Sequence, residues 1–550
     1  MKIIITGGRS LLGQALEQAL AGEHQVTLAP PGDLRDEAFA AGIVRGAEAL
    51  IHLATLSPDV PHMSQVSNTP NGSSEREVLD LATRGTYVLL NAAAGAGVRR
   101  VITGSTLAMF EHYPEAWRPV ESWQPLPDVT DPAVVHQLAA YLAEEATRHI
   151  ARAMPIMAFC LRFGDVVDDA AIEGKPYNSR WVHVDDAVAA VRAALSIAPS
   201  QQRTPWPDPQ SEAPQGLWTF HVPGAGDRAR FSPGASARSA EQNGLGYSPQ
   251  HDLAARPGSG GVPAQPPAVA EDAGDLSVLG PRRRVPSRPI RKVAVFGAGG
   301  PLAAATSREL VKSYQLRLTD VRPIAQIAAE ATPQSPGAPL PEVFGAPHET
   351  MEVDVSDLDQ VMRACEGMDA IINCTVVRPH PVNAFLVNTV GAYNVMRAAV
   401  AHGIRRVVHT GPFQVGSDRP SGYWWDFDVP DDAPSRPGAS LYLHSKALGQ
   451  EIVRLFAEQY DLEVPTLVYC NFVNPEVARD RSGGLHPMTV SWTDAGRAMR
   501  RALEAPELSS PFEIIHILAD LPHGKYSTAK ARRLLGWTPR DSLAHLWLRR

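Results

Sequence analysis

The stretch Val293-Ala-Val-Phe-Gly-Ala-Gly-Gly-Pro-Leu-Ala303 decides the fold. Val293 to Phe296 is a short apolar run of strand type, and a helical pattern follows the glycines through Leu310. Glycines at a strand-to-helix turn let the backbone approach a pyrophosphate, whose charge meets the positive end of the helix. Gly297, Ala298, Gly299, Gly300, Pro301 and Leu302 are therefore expected to cradle a dinucleotide. About twenty residues further on, Asp320 ends the next strand-like run. A carboxylate there accepts hydrogen bonds from a ribose 2′-hydroxyl and repels a 2′-phosphate, so NAD is expected over NADP, a preference that nearby Arg322 weakens.

Outward from this turn, the chain repeats itself. Gly97-Val-Arg-Arg-Val-Ile-Thr-Gly104 mirrors Gly403-Ile-Arg-Arg-Val-Val-His-Thr-Gly411, and Gly85-Thr-Tyr mirrors Gly391-Ala-Tyr, both at an offset of 306 residues. Leu245-Gly-Tyr-Ser-Pro249 answers Leu535-Gly-Trp-Thr-Pro539, and the loop at Gly7 answers the loop at Gly297, both at an offset of 290. Repetition over such lengths means that one folding unit is used twice. The difference in offset falls mostly on a Pro- and Gly-rich insertion at Ala331 to Glu349, expected in a surface loop.

Short apolar runs alternate with helical patterns in each copy, at Ile3–Thr6, Val26–Ala29, Leu50–Ala54 and Val101–Thr103, then at Val293–Phe296, Leu316–Thr319, Ala370–Cys374 and Val407–Thr410. Alternation of this type predicts βαβ units, and continuous hydrophobicity within the runs predicts parallel strands covered on both faces. The fold class is thus α/β, two tandem Rossmann-type doubly wound parallel-sheet domains with small C-terminal subdomains. Domains are expected at 1–255 and 290–550, joined by a flexible Pro/Gly/Ala-rich linker at 256–289. Pro199 to Gly216 reads as a loose loop within the first copy.

Composition narrows the function. A net charge of -8 opposes a general nucleic-acid role, and the Arg282-Arg283-Arg284 run reads as a solvated linker cluster. Cys160, Cys365, Cys374 and Cys470 lack paired spacing and read as buried reduced thiols. The absence of a leader-like start and of a long apolar run points to a cytoplasmic protein with no membrane partner.

A second constellation, Tyr442-Leu-His-Ser-Lys446, opens a helical run through Phe456. Positions i and i+4 share a helical face, so the phenol and ammonium can converge on one reacting group. A nearby cation stabilises a phenolate and tunes it for proton transfer.

With these motifs together, the chain resembles a tandem fusion of extended short-chain dehydrogenase/reductases, the NAD-dependent epimerase/dehydratase family. The resemblance rests on Gly297 to Ala303, Asp354-Val355, Asn388-x-x-Gly391, Tyr442-x-x-x-Lys446 and the closing Ala531 to Pro539. It implies that Tyr442 is the general acid/base and that Lys446 orients the cofactor ribose and lowers the Tyr442 pKa. It also implies that Asp354 and Val355 contact adenine. The chain departs from the family at His409-Thr410-Gly411-Pro412, where a serine pair is usual. By spacing Pro412 takes the hydroxyl's place, and Thr410 substitutes if the loop is shifted.

Copy one departs further. Ser10 stands at the middle glycine of Gly7–Gly13, the second strand ends in Ala29-Pro30 without an acid, and the helix that should carry the dyad reads Val135-His-Gln-Leu-Ala139. This copy is expected to be catalytically silent. His183, Asp185 and Asp186 read as a helix start rather than a metal cluster, and no metal is expected.

The resemblance implies a substrate region at Gly416–Ser440 and Phe472–Pro487, with Trp424, Trp425, Arg436 and His486 as candidates for sugar stacking or carboxylate binding. The expected activity is NAD-dependent oxidation or epimerisation of a sugar, sugar acid or nucleotide-sugar; the alternative is a non-catalytic NAD(P) sensor or scaffold. A tandem fusion could also form an intramolecular pseudo-dimer, or else a homodimer.

Overall fold

A computed structural model describes the chain except residues 55–72, 115–116, 118, 120, 122–123, 199–215, 227, 232, 240–241, 243, 257–278, 412–426, 479–484, 507, 523 and 547–550. The chain divides into two units, Met1–Pro281 and Arg282–Arg550.

In the first unit, six parallel strands lie in the order β2-β1-β3-β4-β5-β8. They are β1 (Lys2–Thr6), β2 (Gln25–Leu28), β3 (Ala49–His52), β4 (Arg100–Thr106), β5 (Met157–Phe163) and β8 (Gly216–Val222), with β6 (Asp165–Val167) and β7 (Trp181–His183) forming a separate pair. The second unit has seven parallel strands in the order β11-β10-β9-β12-β13-β14-β17. These are β9 (Lys292–Phe296), β10 (Gln315–Asp320), β11 (Glu349–Glu352), β12 (Ala370–Asn373), β13 (Arg406–Gly411), β14 (Val464–Val468) and β17 (Phe512–His516); β15 (Asn471–Val473) pairs with β16 (Thr489–Ser491). The doubly wound fold read from the sequence is present in both copies.

Hydrophobicity explains the strand order. β12, β13 and β14 are buried at every residue and occupy the middle of their sheet, as strands covered on both faces must. The edge strand β11 is mostly exposed. It starts at Glu349, where the insertion ends, and has no counterpart among the described residues of copy one. In each sheet the winding reverses beside the first strand, between β9 and β12 in the second unit, and a crevice opens there at the carboxyl ends.

Both copies fasten their closing motif with the same device. Asp494, 1% exposed at the start of the helix Trp492–Leu503, accepts the Arg540 and Asp541 backbone N–H groups at 2.8 and 2.9 Å. Asp186 accepts the Gln250 and His251 N–H groups at 2.9 and 3.0 Å in the first unit. Trp537 is fully buried and donates its indole N–H to the Asp494 carbonyl, while the Tyr247 hydroxyl donates to the Pro223 carbonyl.

Two expectations need adjustment. Residues 282–289, grouped by composition with the linker, belong to the second unit. Arg283 exchanges backbone hydrogen bonds with Gln459 and Asp461, Val285 is 3% exposed, and Arg288 donates to the Met368 carbonyl. Main-chain pairing and one apolar anchor order a stretch whose composition carries no periodic signal. The four cysteines are free thiols, but only Cys160 and Cys365 are buried; Cys374 and Cys470 are partly exposed because each follows the end of a strand, where the sheet opens toward the crevice.

Candidate active site

The turn after β9 is built as the glycines demand. Gly297 has φ +74, and a Cβ on it would stand 3.0 Å from the Cys374 carbonyl carbon and the Thr375 Cα. Only glycine takes that conformation without strain and lets the turn sit against the end of β12. Gly299 donates its N–H to Asp320 Oδ2 at 2.9 Å, so the acid at the end of β10 is fixed beside the turn. Its other oxygen accepts the Val321 N–H at 2.8 Å. Each carboxylate oxygen keeps a second lone pair for an external donor.

The helix Pro301–Leu310 starts at Gly300 with no side-chain cap and with proline in its first turn. Its first N–H groups are left for an external anion, as a pyrophosphate needs. Bare turn, open helix start and adjacent carboxylate together fit an adenine dinucleotide. Asp354 and Val355 are held nearby: Asp354 accepts the Ser356 N–H at 2.9 Å, and the Val355 carbonyl accepts from Asn394 at 2.8 Å. A Cβ on Gly391 would stand 2.8 Å from Val355 Cγ2, which explains the glycine of Asn388-x-x-Gly391.

Asn388 locks the dyad helix Leu441–Gln459. It lies in a π-helical turn, accepts the Val377 N–H at 3.1 Å, and donates to the Val377 carbonyl at 2.8 Å and to Ser445 Oγ at 2.9 Å. Thr389 donates to the Ser445 carbonyl at 2.9 Å. A Cβ on Gly449 would overlap the Asn388 carbonyl at 1.9 Å, so helix and turn touch backbone to backbone. A π-turn at such a junction re-aims side chains that an α-helix would misplace.

Within this frame Lys446 is 3% exposed and its Nζ lies 3.5 Å from the Thr375 carbonyl. Burial pulls its pKa down to about 8, against a partial offset from Cys374 and reinforced by Arg378. Burial raises the Tyr442 phenol above its ordinary value, opposed by the charge and hydrogen bond of Arg378, whose guanidinium carbon lies 5.0 Å from the ring centroid. Sequence reasoning missed Arg378. The one signal was its position, a cation five residues beyond the end of β12 at the crevice.

Thr410, at the end of β13, is buried, and its hydroxyl donates to the Asn373 carbonyl at 3.0 Å. Neighbouring His409 is buried too, and burial with the charge of Lys446 holds it well below the usual imidazole range, hence neutral. His486 is exposed, 3.9 Å from the Cys470 sulfur. Arg436 is part-exposed, and Pro412, Trp424 and Trp425 lie outside the described residues.

The first unit retains the turn but differs in the residues around it. Gly7 has φ +72, but Ser10 caps the helix Leu11–Leu20 by accepting the Gly13 N–H at 3.1 Å. The pocket there, lined by Gly7, Arg9, Ala29, Pro30 and Phe39 among others, has no carboxylate among the described residues of its lining. The helix Val135–Ala153 has the same length as the dyad helix, 19 residues, so the place of Tyr442 falls on His136 and that of Lys446 on Ala140, one residue along from the Val135–Ala139 pairing. Where the second unit has Gln450 and Val468, this unit has a buried ion pair, Glu144–Arg162 at 2.7 Å. His183, Asp185 and His251 have potential ligand atoms within 4.8 Å of one another. His183 Nδ1, however, already accepts the Asp185 N–H that starts the helix Val184–Ser196, so its lone pair serves the cap.

The family model for the NAD dependent epimerase/dehydratase family matches residues 3–168 and 293–511. An NAD-dependent glucose-6-phosphate dehydrogenase of Haloferax volcanii is 27% identical over 46% of this chain and 94% of its own length. A uronate dehydrogenase of Pseudomonas syringae is 27% identical over 40% of this chain and 72% of its own. An L-arabinose 1-dehydrogenase (NAD(P)(+)) of Haloferax volcanii is 28% identical over 46% and 98%. Each match spans less than half of the chain, about the length of one unit.

Proposed function

The chain belongs to the NAD-dependent epimerase/dehydratase family, and from that premise we propose that its second unit is an NAD-dependent oxidoreductase of sugars or sugar acids with Tyr442 as general acid/base. The observation that carries this reading is the meeting of Gly297 and Lys446 on one short segment, Cys374–Thr375. The turn for the dinucleotide and the dyad helix thereby face one crevice.

Bound in this crevice, NAD would supply the hydride acceptor for oxidation of an alcohol carbon. Gly297 to Leu302 and the helix start would hold its pyrophosphate, Asp320 its adenosine ribose, and Asp354 and Val355 its adenine. Tyr442, as its phenolate, would take the hydroxyl proton and become the phenol as the carbonyl forms. Lys446, on the same helix, would offer a donor for the second ribose. Thr410 is the candidate hydroxyl for the reacting oxygen. The names of the relatives favour dehydrogenation over epimerisation. The eroded turn, missing acid and absent dyad support a silent first unit.

The test is to incubate the full-length protein and NAD with a panel of aldoses, uronates and sugar phosphates, following NADH by absorbance. Substrate-dependent NADH from at least one of these supports the reading. NAD binding in calorimetry without NADH from any of them favours a nucleotide sensor.

A further inference from the structure

Arg378 stands out among the cations near the crevice. It is exposed, its guanidinium carbon lies 5.0 Å from the centroid of Tyr442, and no carboxylate among the described residues pairs with it. An unpaired guanidinium over a phenol is attracted to the ring and more strongly to a phenolate, since it is always charged and offers five donors. Lys446 is less constant: its proton is held only up to about pH 8.

We propose that Arg378 is a positioning residue for Tyr442, holding the phenol by cation–π contact and acting as the permanent cation that keeps its phenolate accessible. The inference deepens the reading above and rests on Tyr442 as the acid/base.

The electrostatics around the phenol agree. Burial raises the Tyr442 pKa, and the two influences opposing it are the charge and the hydrogen bond of Arg378. The other groups facing this pair are few. Cys470, beyond β14, pushes the phenol upward, although burial keeps that thiol protonated to about 11. Lys446 is on the same helix, and Cys374, which faces Lys446, is itself pushed up to about 12 by burial. None of these supplies a second fixed positive charge at the phenol.

Two measurements test the assignment. First, the ultraviolet tyrosinate signal is titrated in full-length protein without cofactor, and the curve of Tyr442→Phe is subtracted to isolate Tyr442. Arg378→Gln should move the Tyr442 midpoint up by about one pH unit or more, and Arg378→Lys by less, because it keeps the charge but loses the planar donor geometry. An unmoved midpoint in Arg378→Gln would overturn the inference, whatever the activity. Second, the acid limb of the kcat/KM profile for the substrate found in the panel should move upward by the same amount in Arg378→Gln. A parallel loss at every pH with no shift of the limb would assign Arg378 to substrate binding instead and contradict the proposal. Failure of the acid/base reading of Tyr442 is visible separately, as unchanged turnover in Tyr442→Phe. Arg378 is exposed, so its replacement leaves the packed core untouched.

Discussion

The ammonium of Lys446 lies 3.5 Å from the carbonyl oxygen of Thr375. Thr375 is also the residue whose Cα a side chain on Gly297 would meet at 3.0 Å. A single peptide segment after β12 thus registers the nucleotide turn against the dyad helix, and each element is tied to the other through it.

Replacing Gly297 by alanine should break this register. Alanine at φ +74 costs about 1–2 kcal/mol of backbone strain, and its methyl meets backbone rather than a movable side chain. NAD affinity, measured by calorimetry, should fall at least about tenfold while the circular dichroism of the fold persists.

Replacing Asp320 by alanine should remove the ribose acceptor and the Gly299 contact together. NAD should bind about tenfold more weakly, with NADP losing less or gaining. Arg322 has a partner in Glu330 at 2.8 Å, so it should not by itself make the protein prefer NADP.

The local motifs were legible in the sequence for a physical reason. A strand, a glycine turn, a helix start and an acid twenty residues later are consecutive, and each is dictated by its own backbone. The Tyr442–Lys446 spacing is likewise a property of one helix. Arg378 was not legible, because its meeting with Tyr442 joins residues 64 positions apart. Asn388 was read as a family motif, but its grip on Ser445 emerges only once two helices pack. Strand β11, with the sequence Glu-Thr-Met-Glu, carries no apolar run, since an exposed edge strand needs none.

Replacing Lys446 by methionine should stabilise the fold while removing activity. The buried lysine binds its proton less tightly in the folded protein, with a pKa of about 8 against 10.5 for the free side chain. Its charged form therefore destabilises the fold fully below pH 8, and the penalty fades as pH rises toward 10.5. Methionine should recover up to about 3 kcal/mol at neutral pH, seen as a higher Tm, and the gain should shrink between pH 8 and 10. A gain that grows with pH would contradict the buried-ammonium picture.

In the first unit, His136 occupies the helical position of Tyr442. If that unit is silent, His136→Ala in the full chain should leave kcat and KM of NAD reduction within about twofold of the parent. A large loss in kcat would place chemistry in the first unit as well.

The phenol of Tyr442 is the group on which the proposed chemistry of the second unit turns. In full-length Tyr442→Phe, NAD-dependent turnover of the substrate found in the panel should fall about 10²- to 10⁴-fold, with NAD affinity in calorimetry unchanged. Undiminished turnover in this variant would contradict Tyr442 as the acid/base and with it the catalytic reading of the second unit.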